Sequence, residues 1–275
     1  MRVTPTASAD IEAFQRRVWS AYKEHGRPGL PWRQTTDPYA VLVSEVMLQQ
    51  TQVARVLAKY PNWLIEFPTF DALAAAPLEA ALRAWQGLGY NRRALSLKRA
   101  AEVISGEHGG VLTPEFDLRA LPGIGAATAA GVRVFAFDRP AVYLETNVRA
   151  VYLHEFFADE EGVSDRTLRP VIEATLAADR PREWFYALLD YGYWLKRTLP
   201  NPSRRSAHHS TQSKFEGSRR QKRSRLLRAV MGAPGATSEE LALELDIAPS
   251  EASELLDDLS VEGFLVQAGE GWRIA

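Results

Sequence analysis

The run Val43-Ser44-Glu45-Val46-Met47-Leu48-Gln49-Gln50-Thr51-Gln52-Val53 decides how this chain is read. It sets one carboxylate, Glu45, among Val41, Leu42, Val46 and Met47, apolar residues at helical spacing. A carboxyl group in such surroundings loses the hydration of its charged form. Its pKa rises, and it can hand over a proton near neutral pH. The competing reading is an ordinary carboxylate on an exposed or N-terminal part of a helix. Gln49 and Gln50 add neutral amides, the groups that address base edges or fill a gap in a duplex. The spacing predicts one helix over Tyr39–Tyr60.

Working outward, helical periodicity predicts Ile11–His25, Phe70–Ala76, Leu78–Gln86, Arg92–Ser105, Ala126–Phe137, Asn147–Phe157, Arg166–Ala177 and Trp184–Arg197. Prolines stand at or just before several of the starts. No strict alternation long enough for a sheet precedes residue 260, so the class is all-α. Asn201–Gly217, rich in Ser, Arg, His and Gln, reads as a loop. Helices then follow at Gln221–Met231, Ser238–Leu245 and Pro249–Glu262, with a hairpin over Phe264–Ile274 turning at Gly269-Glu270-Gly271. That order resembles a winged helix. Its second and third helices are acidic, which disfavours the major groove and favours packing or protein contact.

The 275 residues carry 33 basic and 34 acidic side chains, and the 46% hydrophobic fraction can fill a core. No apolar run approaches the roughly 18 residues that cross a bilayer. Met1–Ser20 lacks the apolar core of a signal peptide, which makes a cytoplasmic location the expectation. There is no cysteine, so disulfides, thiolate nucleophiles, cysteine zinc sites and cysteine-ligated iron–sulfur clusters are excluded. Charge is segregated along the chain. Between Lys196 and Arg228 the only acidic residue is Glu216, whereas beyond Ala229 the only basic one is Arg273. The basic band suits a polyanion, nucleic acid foremost, or a solvated linker.

Leu121-Pro122-Gly123-Ile124-Gly125 lies between two helical stretches. Glycines two apart let the backbone turn and present amides at a helix start, a site for a phosphate. A simple structural turn has the same pattern.

Together, Leu30-Pro31-Trp32-Arg33, Ser44–Val53, Trp85-Gln86-Gly87-Leu88-Gly89-Tyr90, Leu121–Gly125 and Asn147-Val148-Arg149 closely resemble MutY-type adenine DNA glycosylases of the helix-hairpin-helix superfamily. The likeness runs over about residues 10–197. It implies an enzyme of base excision repair that flips a base and hydrolyses its N-glycosidic bond. Glu45 would protonate the departing base, and a second carboxylate would steady the oxocarbenium-like sugar. Trp32, Arg33, Tyr186 and Asn147 would line the base pocket. Gln49, Gln50 and Tyr90 would meet the duplex, with Gln50 and Tyr90 as wedges entering the stack. Gly123 and Gly125 would hold a phosphate, directly or through a bound monovalent cation. The implied domains are 1–33 with 141–200, a six-helix bundle at 34–140, a basic linker at 201–220 and the winged-helix-like module at 221–275. The implied partner is double-stranded DNA bearing a lesion or mismatch, met by a monomer near the nucleoid with no membrane involved.

Four departures modify that picture. Where the family has Leu-Asp-Gly-Asn-Val, this chain has Leu144-Glu145-Thr146-Asn147-Val148, so Glu145 stands for the Asp with about 1.5 Å more reach. Ala127 occupies the place of the nucleophilic Lys of bifunctional relatives, which implies a monofunctional enzyme without lyase activity. Without the cluster loop, Arg204 and Arg205 are expected to take phosphate directly, and no metal is expected at His208 and His209. The tail does not resemble the MutT-like domain with which such glycosylases recognise oxidised guanine opposite adenine. Adenine leads as the excised base. Hypoxanthine, a uracil or thymine mismatch, an alkylated purine, and a non-catalytic damage-binding protein are the alternatives.

Overall fold

Small polar caps and prolines set the helix starts in the computed structural model, which describes residues 8–210 and 214–275. Positions 211–213, inside the loop expected at Asn201–Gly217, lie outside the described residues, as do 1–7. The order is α1 (Ser8–His25), α2 (Pro38–Leu48), α3 (Val53–Glu66), α4 (Phe70–Ala75), α5 (Leu78–Trp85), α6 (Arg92–His108) and α7 (Ala126–Phe135). Then come α8 (Thr146–Phe156), α9 (Asp165–Ala174), α10 (Pro181–Thr198), α11 (Arg219–Gly232), α12 (Ser238–Leu245), α13 (Pro249–Val261), β1 (Leu265–Ala268) and β2 (Gly271–Ile274). Thr69, Ser164 and Ser218 each accept a first-turn amide, Thr237 and Glu240 form a reciprocal capping box, and Pro181 and Pro249 open their helices. The fold is all-α apart from the terminal hairpin.

The helix expected over Tyr39–Tyr60 is two helices. Gln50 takes a left-handed φ of 53°, and Gln52 caps the next helix. Arg93 explains the break. Its Nη1 donates to the carbonyls of Met47 (3.0 Å) and Gln49 (2.6 Å), and its Nη2 to Thr51 Oγ1 (3.0 Å). Carbonyls left without a helical partner at the end of α2 are satisfied from a distant residue.

The chain contacts give two compact units, Met1–Val46 with Leu112–Thr211, and Met47–Val111 with Gln212–Ala275. In the first, α1, α8 and α10 pack around aromatics. Phe14 lies with its ring edge-on to Phe156 (4.9 Å) and Trp184 (5.8 Å), all near a buried Tyr152 whose hydroxyl meets Thr175 Oγ1 at 2.7 Å. Removing Phe14 would cost about 3–5 kcal/mol by cavity formation. The segment expected as a free loop after α10 instead forms a short 3-10 turn, Pro202–Arg205. It is held by Val163 N to Arg205 O (3.0 Å) and Ala207 N to Val163 O (3.0 Å).

In the second unit, Trp63 and Trp85 meet edge to face at 5.4 Å beneath α5 and α6, and buried Lys98 donates to Ala74 O (2.8 Å) and Glu102 (2.7 Å). The C-terminal residues join this unit. Helices α11, α12 and α13 enclose Leu226, Leu227, Leu241, Leu255 and Leu256, and β1 pairs antiparallel with β2 in the register Leu265↔Ile274 to Ala268↔Gly271. A bridge from Thr237 to Gly271 completes the winged-helix pattern.

Candidate active site

The first unit brings two carboxylates into one environment. Glu45 sits half-buried on α2, behind the buried run Tyr39–Ser44. Its carboxyl reaches α7 at Gly131, where a Cβ would overlap Oε2 and lie 2.8 Å from Cδ. The Tyr143 hydroxyl donates a hydrogen bond to it. Tyr143 is itself fixed edge-on between Phe135 (5.2 Å) and Phe185 (5.6 Å). Burial pushes the Glu45 carboxyl up to about 8, with the Tyr143 bond opposing and the charge of Glu145 adding to the rise. The acid is therefore mostly protonated at neutral pH, as the sequence pattern anticipates.

Glu145 caps α8. Its Oε1 accepts from Asn147 N (2.5 Å) and Val148 N (3.0 Å), while Oε2 lies 3.4 Å from Asn147 Nδ2. Burial raises its pKa above the ordinary carboxylate value, and the two amides, Lys196 and Arg149 hold the rise back. Lys196, half-buried on α10, feels the attraction of Glu145 in return, although burial lowers its own pKa. A tight helix contact brings α10 to this point. A Cβ on Gly192 would overlap Asn147 O and lie 2.6 Å from its carbonyl carbon, so only glycine allows the approach. The two carboxyls thus have different partners: a phenol for Glu45, amides and a cation for Glu145.

The expected pocket residues divide. Tyr186 stacks on Phe135 (4.7 Å, 3°), and burial raises its pKa to about 12. Its hydroxyl and Asn147 Oδ1 are buried with no hydrogen-bond partner among the described residues, so both keep capacity for a ligand. Trp32 is buried at 6% exposure. Arg33 is spent on the protein itself. It forms a two-pronged pair with Asp190 (2.7 and 3.0 Å) and lies 4.5 Å over the Tyr186 ring. Arg27 joins the same carboxylate through its backbone N (2.7 Å) and Nε (2.8 Å). Removing Asp190 would strand two cations, at a cost of about 3–5 kcal/mol.

In the hairpin, Leu118–Ala120 forms a 3-10 turn, Gly123 has φ 72°, and Gly125 caps α7. Gly123, Gly125, Ala126 and Ala127 are exposed, which leaves the backbone open to approach. Arg204 is exposed as well. Arg205, expected at phosphate, turns inward and donates from Nη2 to Leu153 O (2.8 Å). The residues after α10 do not fit a cysteine-ligated cluster: the chain has no thiol, and the docked 3-10 turn occupies that stretch. Among the described residues no group of three or more potential metal ligands occurs.

The second unit carries Gln50 and Tyr90. Both are left-handed, with φ 53° and 50°, and Tyr90 is 38% exposed. Arg93 ties their loops together, for its Nη2 also donates to Leu88 O (3.2 Å) and Gly89 O (3.0 Å). Burial lowers the Arg93 pKa to about 10.

Gly131, Tyr143, Asp190, Lys196 and Arg93 are thus the residues that sequence reasoning did not single out. Only Gly131 had a signal, a lone glycine inside a helix of mostly apolar residues, which costs about 1 kcal/mol against Ala unless close approach requires it.

Residues 43–171 match the profile of the HhH-GPD superfamily base excision DNA repair proteins, and residues 222–269 that of the IclR helix-turn-helix domain. The chain is 32% identical over 273 residues to the adenine DNA glycosylase of Mycolicibacterium smegmatis, covering 91% of this chain and 92% of that protein. It is 44% identical over 133 residues to the adenine DNA glycosylase of Mycobacterium tuberculosis (strain H37Rv), 48% of this chain and 44% of that one. With the human adenine DNA glycosylase it shares 39% over 153 residues, 28% of that protein. Among solved structures, a thermostable thymine-DNA glycosylase superposes with TM-score 0.58 at 23% identity, over 67% of this chain and 86% of that one. A trapped endonuclease III–DNA covalent intermediate gives 0.54 at 21% identity, over 76% and 91%. These two show the fold.

Proposed function

Because the chain belongs to the family of adenine DNA glycosylases, we infer that it is a base excision DNA glycosylase with adenine as the base removed. The observation that carries this reading is the pair of carboxyls. Glu45 is protonated near neutral pH beside Tyr143, and Glu145 is held by amides and Lys196. Glu45 gives its proton to the departing base as the C1′–N bond breaks. Glu145, ionised, faces the cationic sugar. Water then adds at C1′ and its proton returns to the site, so the products are a free base and an abasic sugar. The free polar atoms of Tyr186 and Asn147 support a polar base edge in the pocket. Trp32 and Arg33 serve as its wall rather than as base contacts, since Asp190 already claims Arg33.

The DNA contacts in this reading are Gln49, Gln50 and Tyr90 on the loops that Arg93 holds, the amides of Gly123 and Gly125, with or without a monovalent cation, and exposed Arg204. Ala127 offers no amine for a Schiff base, so the enzyme is monofunctional and needs no resident cofactor. It acts as a monomer on duplex DNA in the compartment that holds the nucleoid. Among the described residues no helix is long and apolar enough to cross a membrane.

The test is a panel of duplexes carrying adenine, hypoxanthine, uracil, thymine or alkylated purines in defined mispairs, read by alkali cleavage after incubation with the full chain. Cleavage at adenine that disappears with Glu45→Gln, while the variant still binds, supports the assignment. Cleavage only at a pyrimidine overturns the choice of base. Borohydride should trap no covalent complex, and a trapped complex would refute monofunctional action.

A further inference from the structure

The acids of α13 neutralise one side of α11. Arg219 pairs with Glu254 (3.0 Å) and Asp258 (2.5 Å), Lys222 with Glu251 (2.7 Å), and Arg223 with Asp258 (3.4 Å) and Glu262 (2.8 Å). In helix-turn-helix proteins the helix after the turn enters the major groove. Here that helix is α13, and its Glu251, Glu254, Asp257 and Asp258 would bring negative charge against phosphate. Exposing its face would also break the pairs with α11.

The opposite edge of α11 has no such cover. Helical spacing turns Arg225 and Arg228, one turn apart, away from the positions that pair with α13. Both are exposed, and among the described residues neither forms an ion pair. Leu226, Leu227 and Val230 of the same helix are buried, so the two guanidinium groups stand on an anchored helix rather than on a loose tail. The helix is also fixed at both ends within its unit. Arg220, near its start, is engaged by the Tyr90 hydroxyl (3.1 Å), and Arg83 Nη2 of α5 donates to Met231 O near its end (2.5 Å). Arg225 and Arg228 follow Arg220 by about 7.5 and 12 Å along the axis.

We propose that the C-terminal module is a backbone clamp that holds duplex DNA beside the Tyr90 loop through Arg225 and Arg228 on the open edge of α11, with α13 kept inward. Charge argues for this occupant. The two cations lack a counter-charge in the protein, and a duplex offers a phosphate about every 3.4 Å along each strand. The proposal rests on the reading of the chain as a DNA glycosylase whose Tyr90 loop meets the duplex. Phosphate contacts carry no sequence information, so the clamp acts equally on damaged and intact duplexes.

The experiment is fluorescence anisotropy of the full chain on matched lesion and undamaged DNA duplexes and on duplex RNA, across a range of salt. Melting temperatures are recorded for every variant. Arg225→Ala and Arg228→Ala should each weaken binding to both DNA duplexes and reduce the slope of log K against log salt by about 1, and together by about 2. The double Lys variant should keep the slope. Arg219→Ala, which removes a cation already paired within the module, should leave it unchanged. An unchanged slope in the double Ala variant overturns the proposal, as does an equal loss in Arg219→Ala. A slope reduced on duplex RNA and kept on duplex DNA assigns the edge to another polyanion and overturns it too. Should the double Ala variant melt early, Arg225→Gln with Arg228→Gln supplies the same comparison. Excision at adenine by the wild type is measured in parallel. Slopes that change as expected without excision would fail the glycosylase reading and leave the clamp, and excision with unchanged slopes would do the reverse.

Discussion

Gly131 on α7 makes room for the carboxyl of Glu45: a Cβ there would overlap Oε2, lie 2.8 Å from Cδ, and stand 3.0 Å from Tyr143 Cε2. The acid and the phenol that binds it share a space that exists only because one helix position has no side chain.

Gly131→Ala should therefore separate folding from chemistry. The obstructing atoms are the far end of a flexible side chain, and Ala favours a helix by about 1 kcal/mol over Gly, so the melting temperature should hold. The carboxyl has to move, and a displacement near 1 Å costs about a hundredfold in rate. Single-turnover excision measures this; a rate equal to wild type would show that Gly131 does not place the acid.

Glu45 should set the alkaline limit of activity. With its carboxyl pushed up to about 8, excision should fall as pH rises through that value, about tenfold per unit beyond it. Stability follows the same sign. A carboxyl whose folded pKa lies above its ordinary 4.5 contributes fully below about pH 4.5, and that contribution is lost as pH rises through about 8. Glu45→Gln carries no charge to bury. It should melt above the wild type at pH 9 by a margin that narrows toward pH 5, and a constant difference would place Glu45 in water.

Lys196 should set part of the acidic limit. Glu145 has to be ionised, its carboxyl is raised by burial, and Lys196, Arg149 and two backbone amides oppose the rise, while Glu45 is the neighbouring acid. Lys196→Met should shift the acidic limb of the excision profile to higher pH with little change at its plateau, and Lys196→Arg should restore it. An unmoved limb in Lys196→Met would leave the lysine without a part in the chemistry.

Arg93→Met should loosen both loops at once. It removes donors from the carbonyls of Met47, Gln49, Leu88 and Gly89 and from Thr51. With carbonyls that are partly buried left unpaired, a loss of about 2–4 kcal/mol in denaturant unfolding is expected. A loss under about 0.5 kcal/mol, the range of an ordinary surface change, would mean that water replaces the arginine.

Much of the fold was legible because it is local. Helix periods, the proline at Pro249 and the hairpin turn are each written within a few neighbouring residues. So was Glu45, whose apolar neighbours on its own helix already foretold a raised pKa. The helix that runs on past Gln49 in the sequence stops in the structure because Arg93 supplies donors that its own period could not announce. Arg33, expected in the base pocket, pairs with Asp190, and Arg205, expected at phosphate, donates to the Leu153 carbonyl.

The sequence by itself determined the class of fold and the absence of any thiol ligand. Tertiary structure alone decided which charges are available. Arg219, Lys222 and Arg223 belong to a basic band in the sequence, yet α13 folds its acids against them. Charge counts along a chain, but Coulomb energy falls with distance in space, and that distance is fixed only when helices far apart in sequence pack.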